Sequence, residues 1–147
     1  MQRVVLDTCV LVPGLKRDFL LELAVRGAFM PLWSSGTLQE LIAALERLDN
    51  SGSPLVRQPD RRWLIRRMMD VFPGSTIDAD RDGHYAYGTR DQNDAHVAHA
   101  AATGAADSIV TDDLRAGFDR SPILRGMGIR VLTARAFGAE LIAADQQ

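Results

Sequence analysis

The stretch Arg3-Val4-Val5-Leu6-Asp7 stands at the start of the chain and ends a short apolar run with an acid. A run of this length and type is typical of a buried β-strand. After a loop, residues 18–26 carry apolar side chains at helical spacing, and Gly27 follows them. A glycine at this place is a common helix stop. The chain is therefore expected to open with a strand, a loop and a helix.

The same alternation is repeated in the next segment. Residues 28–33 form a second apolar run, and Ser34-Ser35-Gly36-Thr37 then precedes a stretch with leucines on one helical side. Alternating strands and helices favour a parallel sheet covered by helices. We therefore predict an α/β fold, a three-layer α/β/α sandwich with a central, mainly parallel sheet.

The remaining elements continue this pattern. Residues 49–59 are rich in Ser, Gly and Pro, but such a stretch is a loop and too short to separate two domains. We expect one domain over residues 1–147. The further predicted elements are a helix over 60–72, a brief strand over 75–77, a polar loop over 78–93, a helix over 94–103, strands over 108–111 and 129–133, and a helix over 134–144.

Composition narrows the class of protein. The chain has 147 residues, 46% of them hydrophobic and 24% charged, which is typical of a globular domain and excludes a disordered chain. Its single cysteine, Cys9, cannot form an internal disulfide, and no zinc-type Cys/His spacing occurs. The early Asp7 interrupts any signal-peptide core, and no apolar run is long enough to cross a membrane. A cytoplasmic protein without a membrane anchor is expected.

Acidic residues recur where predicted elements end. Asp7 closes the first strand, and Asp112 and Asp113 follow the strand over 108–111. Parallel strands linked by right-handed crossovers place these ends on one edge of the sheet. Asp94 begins the helix that leads into that strand, and Glu40 is expected in the first turn of the helix after the second strand. The sequence thus predicts a cluster of four or five acids with no lysine nearby.

Carboxylates gathered in this way repel one another unless a cation neutralises them. Mg²⁺ suits a site of a few carboxylates, waters and substrate phosphate oxygens, so metal-assisted phosphodiester hydrolysis is the implied chemistry. Each acid also has a simpler explanation. Asp94 could be an N-cap and Asp7 a turn residue, while Thr37-Leu38-Gln39-Glu40 matches a capping box.

Four blocks of sequence carry a resemblance to a known family. They are Val4-Val5-Leu6-Asp7-Thr8, Leu38-Gln39-Glu40-Leu41, the block from Asp91 to Ala98, and Gly104 leading to Ile109-Val110-Thr111-Asp112-Asp113-Leu114. In this order they resemble the PIN-domain ribonucleases, especially the toxin-like group of VapBC modules. The last two blocks are the most specific.

The resemblance implies an acidic quartet that binds Mg²⁺ or Mn²⁺ and cleaves single-stranded RNA. The quartet falls on Asp7, Glu40, Asp94 and Asp113. It further implies a cognate antitoxin as partner, and a homodimer is expected.

Neighbouring residues are assigned by the same resemblance. Asp112 and Asp91 could substitute for or assist the quartet, so the last ligand stays open between Asp112 and Asp113. Thr8 and Thr111 occupy polar positions that commonly support the site. Cys9 stands where the family usually has Asn or Ser. The loop over 78–93 is longer than the family pattern.

Other side chains indicate a function less strongly. Arg61, Arg62, Arg66 and Arg67 form a strip beside an apolar helix side, which could hold RNA phosphates, contact a partner's acidic segment or simply face solvent. Tyr85 and Tyr87 could stack on bases. We expect Trp33 and Trp63 in the core, His96 and His99 in packing or surface roles, and Cys9 as a small buried apolar residue.

Two other classes of protein, one of enzymes and one of signalling switches, are excluded because each lacks one required residue here. A haloacid-dehalogenase-type phosphotransferase would need an acid two residues after Asp7, where Cys9 stands, and a receiver domain would need a late lysine, whereas Lys16 is the only one. A metal-dependent endoribonuclease, the toxin of a toxin–antitoxin pair, is the predicted function. The alternatives are a catalytically weak or inactive PIN-like module that binds RNA or protein, and an RNA-processing nuclease outside toxin–antitoxin systems.

Overall fold

A computed structural model describes residues 1–50 and 60–146 and contains one five-stranded sheet. The strands are β1 (Arg3–Leu6), β2 (Met30–Ser34), β3 (Thr76–Ile77), β4 (Ser108–Val110) and β5 (Arg130–Leu132). All strand pairings are parallel and the strand order is β3-β2-β1-β4-β5, which confirms the predicted α/β class.

The order of the strands reverses beside β1. The chain moves from β1 outward to β2 and β3, then returns to the other side of β1 with β4 and β5. In such sheets the crevice outside the carboxyl ends of the strands at the reversal is the usual ligand site. The register pairs Leu6 with Val110, so the residues after β1 and β4 emerge side by side.

Both faces of the sheet are buried, which explains why its strands are continuously apolar. Successive residues of β1 alternate between two hydrophobic clusters: Val4 and Leu6 belong to one, and Val5 belongs to the other. The first cluster also contains Leu20, Leu41, Leu45, Leu64, Met68 and Phe137, and the second contains Val97, Ala98, Ala101, Ile109, Phe118 and Leu124. Helices therefore cover the sheet on both sides.

The predicted helices are all present, although the first one begins four residues earlier than predicted, and four short elements are additional. The helices are α1 (Thr8–Leu11), α2 (Gly14–Val25), α3 (Ser35–Asn50), α4 (Arg61–Val71), α5 (Ala95–Thr103), α6 (Pro122–Gly126) and α7 (Ala134–Asp145). Short 3₁₀ turns are η1 (Gln92–Asp94), η2 (Leu114–Ala116) and η3 (Phe118–Arg120). The sequence analysis missed α1, α6 and the turns η2 and η3, because elements of three to five residues have too little periodicity to detect.

The structure describes only the first two residues of the predicted loop over 49–59. Asp49 and Asn50 belong to α3, and residues 51–59 lie outside the described residues.

Of the two tryptophans predicted to lie in the core, one is buried and the other is exposed. Trp33 is fully buried, its indole N–H donates to Thr76 Oγ1 at 2.9 Å, and its ring packs edge-on against Phe72. Trp63, in contrast, is 56% exposed. Because α4 packs through the buried Leu64 and Met68, one turn apart, the preceding position points away from the core.

Across residues 1–50 and 60–146, the helices are all too short or too polar to cross a lipid bilayer.

Candidate active site

Four carboxylates from four separate segments line one cleft at the carboxyl edge of the sheet. Asp7 follows β1, Glu40 lies on α3, Asp94 ends η1, and Asp113 lies two residues beyond Thr111 after β4. The cleft has a volume of about 470 Å³. The structure thus brings together the four residues that the sequence motifs single out.

Asp7 is the most deeply buried of these acids, with only 7% of its surface exposed. Its backbone N–H continues the sheet by donating to Val110 O at 3.0 Å. Its side chain accepts from Thr8 N and from Thr111 Oγ1, both at 2.8 Å. Burial nevertheless raises the pKa of Asp7 above its ordinary value, and the nearby Glu40 adds to the effect. Asp7 is therefore both a turn-forming residue and a carboxylate held at the floor of the cleft.

Glu40 is oriented by two side chains from other segments. Its Oε2 accepts from Thr8 Oγ1 at 2.9 Å, and its Oε1 lies 2.6 Å from His96 Nε2. The predicted capping box is wrong, because α3 begins at Ser35 and Glu40 lies in its second turn. Ser34 does the capping instead, since its Oγ accepts from Thr37 N at 2.8 Å.

His96 connects this carboxylate to the start of α3. It is 1% exposed, and its Nδ1 lies 2.7 Å from Ser34 Oγ, opposite the Nε2 that faces Glu40. A carboxylate can only accept, so Nε2 carries the hydrogen in this contact. The prediction of a packing role missed this link to the site. No local sequence pattern could have revealed it, because His96 and Glu40 are 56 residues apart.

Asp94 stands at the N-cap position of α5, as one prediction had it, but its side chain makes no capping hydrogen bond. Its carboxylate lines the cleft instead. Burial raises the pKa of Asp94 from 3.8 to about 6, with further contributions from Asp7, Asp91, Asp113 and Glu40. The neighbouring carboxylates therefore add to the effect of burial on Asp94, as expected when acids are gathered in one cleft.

Asp112 and Asp113 have different surroundings. Asp113 lines the cleft and its Oδ1 accepts from Arg115 N at 3.1 Å. Asp112 Oδ2 accepts a short hydrogen bond from Lys16 Nζ, and its Oδ1 accepts from Ala134 N at 3.0 Å. Partial burial would raise the pKa of Asp112, but these two bonds lower it below its ordinary value. The predicted absence of a nearby lysine is thus wrong, because α2 brings Lys16 to this edge.

Thr111 and Cys9 support the cleft from beneath. Thr111 is 1% exposed and its hydroxyl accepts from Asp113 N at 3.1 Å while donating to Asp7. Cys9 is half-buried rather than fully buried, and its Sγ lies 3.3 Å from Thr111 Oγ1. Burial, followed by the charge of Asp7, raises the pKa of the Cys9 thiol. An unreactive, neutral thiol is therefore favoured at this position.

Asp91 borders the same acids from the neighbouring loop. Its Oδ1 accepts from Asn93 N at 2.9 Å, which caps η1, and it lines an adjoining hollow together with Asp94 and Asp113. Its contribution to the raised pKa of Asp94 places it within electrostatic reach of the cleft.

The donor set fits a hard, water-rich divalent cation. Within residues 1–50 and 60–146, no three His, Cys, Asp or Glu side chains converge closely enough to hold a metal ion by themselves. Mg²⁺ typically keeps several waters and takes only one or two carboxylates. An open cleft with several oxygen donors, one of them carrying a pKa raised by burial and by its acidic neighbours, matches that requirement.

The predicted arginine strip lies elsewhere. Arg61, Arg62 and Arg66 line a separate hollow of about 950 Å³ between α3 and α4, which shares no lining residue with the acidic cleft. Arg61 is also neutralised there, because its guanidinium lies 2.6 Å from Asp49 and 3.6 Å from Glu46. The structure therefore does not bring this strip to the acids, and its predicted contacts with RNA phosphates or a protein partner stay predictions.

The two loop tyrosines are occupied by packing around His99. Tyr85 stacks on the His99 ring with centroids 4.1 Å apart, and the Tyr87 hydroxyl lies 3.0 Å from His99 Nδ1. These contacts confirm the predicted packing role of His99. They fix the loop over 78–93 against α5.

Two cations in the cleft were missed by the sequence analysis. Arg47 and Arg81 line it together with Glu40 and Asp94. A signal for Arg47 was present, since it lies seven residues after Glu40 and two helical turns place both on one side of α3. Arg81 lies in the loop over 78–93, where no periodicity could place it.

Comparison with known proteins assigns the family. The PIN domain family model matches residues 3–115, a span that contains β1 to β4 and all four cleft carboxylates. Neither the curated proteins nor the solved structures gave a significant match. The family match covers well over half of the chain, and it agrees with the parallel sheet and with the acids gathered at its carboxyl edge. The chain belongs to the PIN domain family.

Proposed function

We propose that this chain is a Mg²⁺- or Mn²⁺-dependent endoribonuclease that cleaves single-stranded RNA. The observation that carries the proposal is the convergence of Asp7, Glu40, Asp94 and Asp113 on one cleft beside the reversal point of the sheet. Like charges at close quarters cost stability, so such an arrangement favours a functional role. PIN domains are generally nucleases.

The residues present suggest a division of roles. Asp7, Asp94 and Asp113 would hold the ion, and Glu40 would complete the acidic wall. When bound, the ion would neutralise these carboxylates and the charge that develops on the phosphodiester. Thr8 and Thr111 orient Asp7 by hydrogen bonds.

For the last ligand we favour Asp113 over Asp112. Asp113 borders the cleft, whereas both carboxylate oxygens of Asp112 already accept hydrogen bonds, from Lys16 and from Ala134. Asp112 would then fix the start of α7 against the site rather than enter it.

The biological role is proposed as the toxin of a toxin–antitoxin pair acting in the cytoplasm, with a cognate antitoxin and a homodimeric state. The support is the resemblance of the four sequence blocks to the toxin-like group. Induced expression in a bacterial host tests it: wild-type protein should arrest growth, whereas Asp94→Asn should not. Equal growth with both would leave the nuclease proposal standing and remove the toxin role.

A cleavage assay tests the enzymatic proposal. Purified protein is incubated with a mixed pool of single-stranded RNA in Mg²⁺, Mn²⁺ or EDTA, beside Asp94→Asn and the control Asp119→Asn, whose residue does not line the acidic cleft. Cutting that needs metal and is lost only in Asp94→Asn is the expected result. Cutting that persists in EDTA or in Asp94→Asn would contradict it.

One observation favours a second candidate, a PIN-like module that binds RNA without cleaving it. No three metal-binding side chains of the described residues form a group sufficient for an ion, so the site would depend on waters and substrate to complete it. RNA binding by well-folded protein, with no cleavage in either metal, would favour this module.

A further inference from the structure

The acidic cleft continues into a second hollow on the side of the loop that follows β4. This hollow is lined by Arg90 and Arg115 and shares Asp94 and Asp113 with the cleft. A third hollow continues from it and is lined by Arg90, Arg115 and Arg120. Arginine side chains therefore line the surface that continues from the acids on this side.

The acidic cleft itself is lined by a different pair of arginines. Arg47 on α3 and Arg81 in the loop over 78–93 line the main cleft with Glu40. Arg81 also lines a small hollow with Asp82, Asn93 and Asp94. Asp94 therefore borders hollows of both pairs of cations, Arg47 with Arg81 and Arg90 with Arg115, which we call the two flanks.

The backbone holds each loop arginine in place. On the first flank, Gly36 N donates to Ala79 O at 3.0 Å and Ala79 N donates to Ser35 Oγ at 3.0 Å. The approach is so close that a Cβ on Gly36 would lie 2.7 Å from Arg81 N. Arg81 is therefore anchored against the first turn of α3.

The second flank is anchored in the same manner. Arg90 N donates to Ala116 O at 3.2 Å, and a Cβ at Gly117 would lie 3.4 Å from Arg90 Cβ. Gly117 has a φ of 73°, a left-handed conformation that glycine adopts at little cost. This turn keeps Arg90 beside Arg115.

Among residues 1–50 and 60–146, three of the four flank arginines have no close ion pair. Arg47 and Arg90 form no ion pair within the part of the chain that the structure describes. Arg81 has only a marginal contact of 4.0 Å to Asp82, and Arg115, with a 92% exposed side chain, lies 3.4 Å from Asp113. Lys16 and Arg61, in contrast, are closely paired with carboxylates.

We infer that single-stranded RNA lies across the acidic cleft, with backbone phosphates on both sides of the cleavage point held by the two flanks. This inference rests on the proposed RNA substrate. A phosphate in one hollow meets only the arginines of that hollow, so both flanks are used only by a strand that continues past the acids. The acids themselves repel phosphate, and arginine forks on each side offset this repulsion. A strand that passes through is cut internally.

The salt dependence of RNA binding tests the inference without requiring cleavage. The Asp94→Asn variant, which keeps RNA intact, is titrated with a labelled single-stranded oligonucleotide over a range of KCl concentrations at fixed low Mg²⁺. Three double variants are compared in this background: Arg47→Ala with Arg81→Ala, Arg90→Ala with Arg115→Ala, and the control Arg62→Ala with Arg66→Ala on α4. Circular dichroism checks that each folds.

Each flank variant is expected to bind on the order of tenfold more weakly at 0.1 M salt, and the slope of log K against log salt should become shallower by about 0.7 for each lost phosphate contact. The control should keep the slope of its parent. An unchanged slope in either flank variant, an equal change in the control, or no RNA binding by the parent would overturn the inference. RNA binding with the expected slopes but no cleavage by the wild type would remove the nuclease proposal and leave the two flanks standing.

Discussion

The acidic cleft and the hollow between α3 and α4 both contain several charged side chains, but the charges are arranged differently. In the α3–α4 hollow Arg61 is matched by Asp49 and Glu46. In the cleft, four carboxylates converge beside Arg47 and Arg81, and the pKa of Asp94 rises to about 6 through burial and four acidic neighbours. Side chains that form ion pairs neutralise each other without a ligand. Buried carboxylates that repel one another instead favour the binding of a cation.

Removing a carboxylate from the cleft should have the largest effect. Asp94→Asn keeps the shape of the side chain but removes its charge, so RNA cleavage should fall by more than about a hundredfold, since even residues that only orient metal ligands typically cost about 10–100-fold. Initial rates on single-stranded RNA measure this loss, and circular dichroism verifies the fold. Wild-type rates in the variant would show that the cleft is not the active site.

The His96 link should matter next. His96→Ala removes the Nε2–H that faces Glu40 and leaves Ser34 Oγ without that partner, so cleavage should fall by about 10–100-fold. His96→Gln, which retains an N–H donor, should recover part of the rate. The dependence of the rate on Mn²⁺ concentration is the measurement, beside thermal unfolding. A loss that merely follows the fraction of unfolded protein would reduce His96 to a packing residue.

The electrostatic cost of the cleft should appear as a pH-dependent stability. The pKa of Asp94 in the folded chain, about 6, exceeds its ordinary value of 3.8, so the folded state binds this proton more tightly. Its stabilising contribution is present below about pH 4 and is lost as the pH rises through 6.

Metal-free Asp94→Asn should therefore be more stable than the wild type at pH 7.5, by on the order of 1–2 kcal/mol, and should gain little at pH 4. Urea unfolding at the two pH values measures the difference. A gain of equal size at both would trace the effect to packing instead of charge.

The paired region should give the smallest effect. Arg61→Ala removes a surface pair with Asp49, and exposed pairs contribute about 0–1 kcal/mol to the free energy of unfolding. Urea unfolding should therefore shift by less than about 1 kcal/mol, and the shift should shrink at high salt. A larger, salt-independent loss would mean that the α3–α4 hollow depends on this side chain for packing.

Several residues of the acidic cleft could be predicted from the sequence. The edge of the sheet was predictable, because β1 and β4 are short apolar runs that end in acids, and parallel strands align their ends. Asp7 and Asp113 follow from that rule, and Asp94 was identified because it begins the predicted helix that leads into β4. Arg47 was within reach as well, since it shares a side of α3 with Glu40.

The links between distant segments were not predictable. The contacts of Lys16 with Asp112 and of His96 with Glu40 join residues 96 and 56 positions apart. They depend on how α2 and α5 pack on the sheet, which no local pattern encodes. Trp63 shows the opposite error, since a large aromatic residue was assigned to the core although α4 packs through Leu64 and Met68 on another side.

The central claim is that the cleft acids hold a divalent ion, and a Mn²⁺ binding titration followed by electron paramagnetic resonance tests it most directly. Wild-type protein and Asp112→Asn should bind Mn²⁺ in the absence of RNA, because Asp112 is already engaged with Lys16, whereas Asp94→Asn and Asp113→Asn should bind it much more weakly. Binding should also weaken as the pH falls below about 6, where Asp94 takes up its proton. Equal Mn²⁺ binding by all four proteins, or none by the wild type, would contradict the account.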